Sequence, residues 1–158
     1  MSTKNLLFAF AALLLSVSFC QAAENLAAIP SSGPTTPSGW YDDFDAALKA
    51  AQTAQKKLYV LFTGSDWCGW CKKLKADVLE TKEFKDFAAG KLILLYIDAP
   101  SPKVKMSDEL RSSNQKLAEK FGVMGFPTSL ILDAQGKEIG KLVGAPGDFL
   151  ERLKKAAE

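Results

Sequence analysis

The sequence predicts an α/β sandwich in which helices cover both sides of a mixed central sheet. Two near-continuous apolar runs, residues 58–63 and 92–97, have the composition of strands that are buried on both faces. Segments with helical periodicity separate them, and a third strand with a hairpin partner follows later in the chain. Helices that alternate with buried strands favour this layered class. At 158 residues, 47% of them apolar, the chain has enough material for one domain with a proper core.

Helices are predicted before and between the two buried strands. Asp43 can cap the first helix, because its side chain can accept a hydrogen bond from a backbone N–H of the first turn. The apolar positions of that helix recur at the 3.6-residue period: Phe44, Ala47, Leu48 and Ala51. A second helix is predicted from Cys68 to about Leu79, and a third over residues 81–89. The chain therefore has two helices between its first two strands.

The second half of the chain predicts a loop, a helix, a hairpin and a final helix. The loop, residues 98–106, contains two prolines, and Ser107 can start the helix that follows. Residues 128–132 and 138–143 are predicted to form a hairpin, because a turn sequence with Asp and Gly lies between them. The helix that closes the domain is predicted to follow Gly147.

The N-terminal part of the chain is predicted to lie outside this domain. Residues 1–22 are typical of a secretory signal peptide, since Lys4 precedes an uncharged, mostly apolar run that ends at small residues. This run is shorter than the roughly 20 apolar residues of a membrane-spanning helix. Residues 23–39 are rich in Pro, Ser and Thr and predict a flexible linker. The globular domain is predicted to span residues 40–158.

Cys20, at the end of the predicted signal peptide, leaves two interpretations open. Cleavage two or three residues later removes Cys20, and the mature chain then keeps only Cys68 and Cys71. Alternatively, Cys20 is the acylation site of a lipoprotein, although Phe19 is bulkier than the residue that such signals prefer. We expect a periplasmic or secreted protein.

The composition excludes several classes of chemistry. The chain has no histidine, which removes Cys–His and Ser–His nucleophile pairs, haem attachment through a CxxCH motif and histidine metal sites. Three cysteines are too few for an all-thiolate zinc or iron–sulfur site, which needs four. The 20 basic and 18 acidic residues are well mixed, so no nucleic-acid partner is predicted. We therefore predict thiol chemistry without a metal or other cofactor.

The chemically distinctive stretch is Trp67-Cys68-Gly69-Trp70-Cys71, directly after the first predicted strand. A thiol where a helix begins is close to unpaired backbone N–H groups and to the positive end of the helix dipole. Both favour the thiolate, which is the nucleophilic form of cysteine. Cys71 lies three residues further on, hence on the same side of the helix and close enough to form a disulfide with Cys68.

With this motif at a strand-to-helix turn and Phe126-Pro127-Thr128 opening the third strand, the chain resembles the thioredoxin-like superfamily. It is most similar to the extracytoplasmic thiol–disulfide oxidoreductases of that superfamily. The resemblance covers about residues 40–157, nearly all of the predicted domain. It implies a thioredoxin-like three-layer sandwich, with a mixed central sheet and flanking helices.

The resemblance also implies a role for each motif residue. Cys68 corresponds to the exposed nucleophile that attacks a substrate disulfide, and Cys71 to the more buried cysteine that resolves the mixed disulfide. The two thus form the redox-active disulfide Cys68–Cys71. Pro127 corresponds to a cis-proline that faces the thiols, and Phe126 before it pairs through its backbone with an extended substrate segment. The predicted substrate-binding residues are Trp67, Gly69, Trp70, Phe126 and Pro127.

The chain departs from the family pattern at one catalytic position. The family's buried aspartate aligns with Phe62, and the lysine that partners it falls near Leu94. The carboxylate that assists deprotonation of the second thiol, here Cys71, is therefore missing from its usual place. Asp66 and Asp77 lie nearby in the sequence, but neither can be given that role from the sequence alone.

The predicted function is that of a secreted, monomeric thiol–disulfide oxidoreductase that reduces or exchanges protein disulfides. Its partners are then protein thiols and disulfides, together with a membrane-bound electron donor. The strongly oxidising members of the family have a histidine between the cysteines, whereas this chain has Trp70, which favours a reductase or a moderate exchanger. Two alternatives stay open: a binding or chaperone-like module without redox turnover, and a metal-binding CxxC protein.

Overall fold

The computed structural model describes residues 33–158, and the elements follow the predicted order. The signal peptide predicted at residues 1–22 and residues 23–32 of the predicted linker lie outside this range. The helices and strands of the described residues are α1 Phe44–Ala54, β1 Lys57–Thr63, α2 Gly69–Leu74, α3 Lys82–Lys91, β2 Leu92–Asp98, α4 Asp108–Lys120, β3 Thr128–Leu132, β4 Glu138–Val143 and α5 Phe149–Ala156.

The four strands form one mixed sheet in the order β2-β1-β3-β4. Strand β1 pairs in parallel with β2 and antiparallel with β3, and the hairpin partner β4 occupies the edge. Phe62, near the end of β1, is paired with both Ile97 and Thr128. The end of β1, the end of β2 and the start of β3 therefore lie side by side at the same end of the sheet. The predicted mixed sheet is confirmed.

Helices cover both faces of the sheet and form two separate cores. Along β1, Leu58, Val60 and Phe62 pack with residues of α1 and α4, on what we call the α1/α4 face. Tyr59 and Leu61 point to the opposite, α2/α3/α5 face, where side chains of α2, α3 and α5 complete the second core. This alternation follows from the two-residue period of a strand, and it gives the three-layer sandwich that the sequence predicts.

Three of the predicted helix starts are held by local caps. The side chains of Asp43, Thr81 and Ser107 each accept a hydrogen bond from the backbone N–H three residues later. Each cap satisfies one of the backbone donors that a helix leaves unpaired at its start. These starts are therefore properties of the local sequence, independent of what the helices pack against.

The helix that contains the motif differs from the prediction in its second half. It is α-helical only as far as Leu74, and Lys75–Leu79 continue it as a π-helical turn. Leu74 and Leu79 are both buried in the core of the α2/α3/α5 face. Side chains five residues apart share a side only in the wider π turn, so packing of both leucines explains the change.

The end of the predicted linker forms turns next to the domain. Backbone hydrogen bonds join Thr36 to Gly33 and Trp40 to Pro37, and the N–H of Gly33 donates to the Asp42 carboxylate. The boundary at residues 39 and 40 stays a prediction. Between residues 33 and 158, no helix is long and apolar enough to cross a membrane.

Candidate active site

The dithiol motif lies at the turn that joins β1 to α2. The N–H of Cys68 donates to the carbonyl of Gly64 at 2.9 Å, which closes the turn, and Cys68 then occupies the N-cap position of α2. The N–H of Cys71 donates to the Cys68 sulfur at 3.2 Å. A sulfur in this position accepts one of the backbone donors that the helix leaves unpaired, which favours its negative form.

Cys68 and Cys71 form a disulfide, with their Cα atoms 5.3 Å apart. Only 7% of Cys68 and 5% of Cys71 is exposed, so exposure does not separate an attacking from a resolving cysteine in this oxidised state. Their surroundings differ more. Cys68 caps the helix, whereas Cys71 lines a cavity on the α2/α3/α5 side of the sheet.

Exposed aromatic side chains surround the disulfide. Trp67 is 54% exposed and Trp70 is 63% exposed, although both are large apolar residues. Gly69 between the cysteines is also exposed, and a Cβ atom added there would meet nothing within 4 Å. The surface that adjoins the cysteines in the sequence is therefore uncovered at Gly69 and apolar at Trp67 and Trp70.

The segment before β3 lies beside the motif. The rings of Trp67 and Phe126 are 5.8 Å apart in an edge-to-face arrangement. The Phe126–Pro127 peptide bond is cis, as predicted. Thr128 then pairs with Phe62 at the end of β1. The fold thus brings the two halves of the predicted site together, although they are more than 50 residues apart in the sequence.

Two carboxylates join the motif turn to the end of β2 in a reciprocal arrangement, which we call the double clamp. Asp98, the last residue of β2, accepts the N–H of Ser65 at 2.9 Å and the Ser65 hydroxyl at 2.6 Å. Asp66, on the motif turn, accepts the N–H of Ser101 at 2.9 Å and the Ser101 hydroxyl. Each aspartate therefore holds both donors of a serine on the facing segment.

The double clamp is extended by a contact to Trp67 and by two anchors from α4. The indole Nε1–H of Trp67 donates to the carbonyl of Ala99 at 2.9 Å. From α4, Asn114 donates to the carbonyl of Asp98 at 2.8 Å, and Arg111 donates to that of Pro100 at 3.1 Å. The first part of the loop after β2 is thus held by the motif on one side and by a helix on the other.

The electrostatics of the clamp favour a charged Asp66. Hydrogen bonds from the hydroxyl and the N–H of Ser101 hold the pKa of the Asp66 carboxyl below its ordinary value. The ammonium group of Lys72, one turn into α2, donates to the backbone carbonyl of Asp66 at 2.6 Å. The motif turn therefore contains a carboxylate that accepts two hydrogen bonds from Ser101, with the ammonium group of Lys72 bound to the backbone of the same residue.

The position of the family's missing carboxylate is filled by hydrocarbon. Phe62 is buried in the core of the α1/α4 face, away from the α2 side, and Leu94 packs against the other core. The cavity that Cys71 lines has a volume of about 420 Å³ and is shared with the side chains of Thr63, Tyr96 and Glu80. Of the residues that line this cavity, Glu80 is the one with a carboxylate.

Tyr96 contributes a hydroxyl that stays protonated at neutral pH. Burial, together with the negative charge of Asp98, raises the pKa of Tyr96 to about 12. Tyr96 is buried on the α2/α3/α5 face and lines the cavity next to Cys71. It can therefore donate a hydrogen bond into the cavity but does not act as a base near neutral pH.

The other acidic side chains near the motif are paired with lysines. Asp77 forms an ion pair with Lys73 one turn away, and Glu80 lies 3.6 Å from Lys75. Throughout residues 33–158, no group of three or more Cys, Asp or Glu side chains could hold a metal ion. The sequence left Asp66 and Asp77 unassigned, and the structure gives each of them a partner other than Cys71.

Four residues of the motif turn and the double clamp were not predicted as site residues: Gly64, Ser65, Asp98 and Ser101. Glu80 and Tyr96, which line the cavity with Cys71, were not predicted either. A Cβ atom at Gly64 would lie 2.5–2.8 Å from three atoms of the Trp67 indole, so the glycine makes room for that ring. A glycine between a strand and the motif was a signal for such a close approach. The pairing of the serines with aspartates more than 30 residues away has no local signal.

Comparison with known proteins agrees with this geometry. A family model described as a thioredoxin-like domain matches residues 44–157. The chain is 34% identical over 119 residues to the disulfide bond reductase DsbH of Chlamydia pneumoniae, covering 73% of this chain and 71% of that protein. The solved structure of a DsbH oxidoreductase superposes with a TM-score of 0.69 at 31% identity, covering 90% of this chain and 94% of that one.

A longer protein also shares this domain. The chain is 36% identical over 101 residues to the thiol:disulfide interchange protein DsbD of Pseudoalteromonas atlantica. The match covers 62% of this chain but only 15% of that protein. The disulfide at the start of α2, the family match and the similarity to DsbH lead to one conclusion. The chain belongs to the thioredoxin-like family and is a thiol–disulfide oxidoreductase.

Proposed function

We propose that this protein is a disulfide reductase that acts on proteins outside the cytoplasm. The observation that carries the proposal is the Cys68–Cys71 disulfide at the N-terminus of α2, next in the sequence to the exposed Trp67 and Trp70. A disulfide at this place can be opened to a thiolate that the helix stabilises. The similarity to the disulfide bond reductase DsbH supports the direction of the reaction.

The reaction proceeds through one mixed disulfide. The Cys68 thiolate attacks a substrate disulfide, which forms a bond between Cys68 and one substrate sulfur and releases the other as a thiolate. The Cys71 thiolate then attacks the Cys68 sulfur, closes the Cys68–Cys71 disulfide and releases the second substrate thiolate. Two electrons pass to the substrate, and the protein ends in the oxidised state that the structure contains.

The role of Cys68 as the attacking group follows from its place at the helix N-cap. In the disulfide, the Cys68 sulfur already accepts the N–H of Cys71, and this donor remains available to the thiolate. A thiolate at such a helix terminus has a pKa below that of a free cysteine, roughly 8.5. We therefore expect Cys68 to be the more ionised of the two thiols near neutral pH.

The substrate binds across the apolar surface next to the disulfide. Trp67, Gly69 and Trp70 offer an exposed surface, and the Trp67–Phe126 contact continues it toward Pro127. An extended substrate segment can add its backbone to that of Phe126. Phe126 lies two residues before Thr128, the first residue of β3. This arrangement suits an unfolded or flexible substrate segment with apolar side chains.

The oxidised protein is returned to the dithiol by a membrane-bound electron donor, and the protein works as a monomer. The signal peptide predicted at residues 1–22 supports a place outside the cytoplasm, in the periplasm or secreted. Similarity to the thiol:disulfide interchange protein DsbD supports thiol exchange with another protein as the source of electrons. Cell fractionation and the mass of the mature protein test the location, and light scattering tests the oligomeric state.

Substrate trapping is the experiment that tests this mechanism. Cys71→Ser stops the reaction after the first step, because the second thiol is absent, so a mixed disulfide at Cys68 should accumulate. Mass spectrometry of the trapped species then identifies the substrate. Cys68→Ser is the matched control and should trap nothing. Equal trapping by both variants would contradict the assignment of Cys68 as the attacking thiol, whereas substrate capture that does not depend on either cysteine would indicate a binding module.

Equilibration with glutathione buffers tests the direction. The fraction of reduced protein is measured over a range of reduced-to-oxidised glutathione ratios, and a reductase should have a potential near that of thioredoxin, about −270 mV. A potential near about −120 mV, typical of the strong oxidant class, would contradict the proposed direction. Each step of about 30 mV corresponds to roughly 1.4 kcal/mol, so the two classes are well separated.

A further inference from the structure

We propose that Asp66 and Ser101 are positioning residues that set the reactivity of Cys68: the Asp66 carboxylate opposes ionisation of the thiol, and Ser101, on the loop after β2, holds that carboxylate in place and offsets part of its charge. The proposal rests on the assignment of Cys68 as the attacking thiol. It concerns residues outside the dithiol and outside the apolar substrate surface. Neither the CxxC motif nor the cis-proline segment predicts them.

The first support is the geometry of the double clamp. Asp66 receives both donors of Ser101, and Asp98 receives both donors of Ser65, across the same pair of segments. The partners in these pairs are 33 and 35 residues apart, and the bonds extend the contact between the two segments beyond the last paired residues of β1 and β2. Hydrogen bonds to charged acceptors are the stronger class, worth roughly twice a neutral pair.

The second support is the contact between the clamped loop and Trp67. The loop supplies the Ala99 carbonyl to the indole N–H of Trp67, and this ring then packs edge-to-face on Phe126. Trp67 directly precedes Cys68 in the chain. Loss of the Asp66–Ser101 pair therefore removes one of the contacts that hold this loop and its Ala99 carbonyl at the motif turn, while Asn114 and Arg111 still hold the loop from α4.

The third support is electrostatic. Four charged groups lie on the elements around Cys68: Asp66 on its own turn, Lys72 and Lys73 on α2, and Asp98 at the end of β2. Lys73 is paired with Asp77, one turn further along the helix. The segment from Gly125 to Thr128 contributes no charge. A carboxylate two residues before Cys68 opposes its ionisation, and the two donors of Ser101 offset part of that negative charge. Removal of one donor should therefore raise the pKa of the Cys68 thiol.

The test compares four proteins in a Cys71→Ser background, so that the motif contains a single thiol. They are the parent, Ser101→Ala, Asp66→Asn and the control Ser113→Ala, which removes a hydroxyl from an exposed position of α4. The rate of Cys68 alkylation by iodoacetamide is measured from pH 4 to pH 10. Peptide mass spectrometry assigns the modified residue. The assay contains no substrate disulfide, so its outcome does not depend on whether the protein is a reductase.

Ser101→Ala and Asp66→Asn should change the rate of Cys68 alkylation in opposite directions. Ser101→Ala should slow alkylation at pH 6 about three- to fivefold by raising the Cys68 pKa, with no change in the rate at high pH. Asp66→Asn should speed alkylation at pH 6 by a similar factor, because the amide keeps a donor and an acceptor for Ser101 but loses the charge. Ser113→Ala should follow the parent at every pH.

Opposite shifts of the Cys68 pKa in Ser101→Ala and Asp66→Asn separate control by the held carboxylate from a merely stabilising role. A clamp that only stabilises the fold would lower the unfolding temperature of Ser101→Ala while its pH profile matched that of Ser113→Ala, and this result would overturn the proposal. So would shifts of the same sign in Ser101→Ala and Asp66→Asn. Asp66 is exposed and Ser101 is half-buried, so the folded state is expected to survive each change.

Discussion

The two faces of the sheet are built from different material. The α1/α4 face is closed by hydrocarbon side chains, among them Val60, Leu95 and Leu130, which are fully buried. The α2/α3/α5 face contains the hydroxyls of Tyr59 and Tyr96, and its cavity reaches Cys71. The centre of one face is thus closed by fully buried hydrocarbon side chains, while the other face keeps hydroxyl groups and a cavity close to Cys71. Substitutions on the two faces should separate stability from reactivity.

The largest expected effect is a loss of stability on the α1/α4 face. Leu130→Ala removes a fully buried side chain from β3 and should lower the free energy of unfolding by about 2–5 kcal/mol. Disulfide reduction per folded molecule should stay unchanged, because Leu130 faces away from α2. Urea unfolding and a reduction assay at low temperature measure the two quantities. Leu130→Met, which keeps the volume, is the control and should cost less than about 1.5 kcal/mol.

The next effect is expected at the turn between β1 and α2. Gly64→Ala places a methyl group against the Trp67 indole and should cost about 1–3 kcal/mol through overpacking. Unlike Leu130→Ala, it should also slow disulfide reduction, because the ring beside Cys68 must move. Gly90→Ala is the matched control, since a Cβ atom there meets nothing within 4 Å. Normal reduction by folded Gly64→Ala would show that the position of Trp67 does not affect the reaction.

A third effect, a loss of stability at alkaline pH, is expected from a buried tyrosine hydroxyl of the α2/α3/α5 face. The pKa of Tyr96 is raised to about 12, so an unfolded chain loses this proton near its ordinary value of about 10 while the folded chain keeps it. The stability that the neutral Tyr96 contributes is therefore complete below about pH 10 and is lost as the pH rises toward 12.

Unfolding by urea between pH 9 and pH 12 measures this loss. Tyr96→Phe should show a shallower decline in the free energy of unfolding than the parent, by about 1–2 kcal/mol at the alkaline end. Tyr41→Phe, which removes a hydroxyl from a half-buried residue, should decline like the parent. An equally steep decline in Tyr96→Phe would mean that the burial of this hydroxyl does not contribute.

The smallest effect is a loss of stability at acid pH that depends on the Asp66–Ser101 pair of the double clamp. The Ser101 donors lower the pKa of Asp66, so this stabilisation is present above the ordinary carboxyl pKa and is lost as the pH falls through the lower folded value. Thermal unfolding from pH 2 to pH 6 should show Ser101→Ala below the parent near pH 6, with a gap that narrows toward pH 2. Ser113→Ala should show no such pH dependence.

Much of the fold could be predicted because its signals are local. Asp43, Thr81 and Ser107 cap their helices with bonds that span three residues, and the hydrophobic runs of β1 and β2 are typical of buried strands. The motif itself belongs to this class, since a cysteine at a helix N-cap three residues before another is visible in the sequence. The same reasoning missed the π-helical turn at Lys75–Leu79, because it depends on what Leu79 packs against.

The surroundings of the sulfurs could be predicted only in part. Trp67, Phe126 and Pro127 were predicted as site residues from the family resemblance. In the fold, the Trp67 ring packs against the Phe126 ring. The sequence also predicted an exposed attacking cysteine and a buried resolving one, yet Cys68 and Cys71 are almost equally covered in the disulfide. Exposure depends on neighbours from several segments, and no single segment encodes it.

The sequence by itself determined the order of the elements, the helix caps and the pair of cysteines at the start of α2. Each of these depends on residues within about one turn or one strand of each other, so the local pattern is sufficient. Only the tertiary structure decided that Asp98 holds Ser65, that Asp66 holds Ser101 and that a cavity with Glu80 and Tyr96 adjoins Cys71. These contacts arise where β1, β2 and the loop after β2 meet, and their geometry is set by sheet pairing between distant segments.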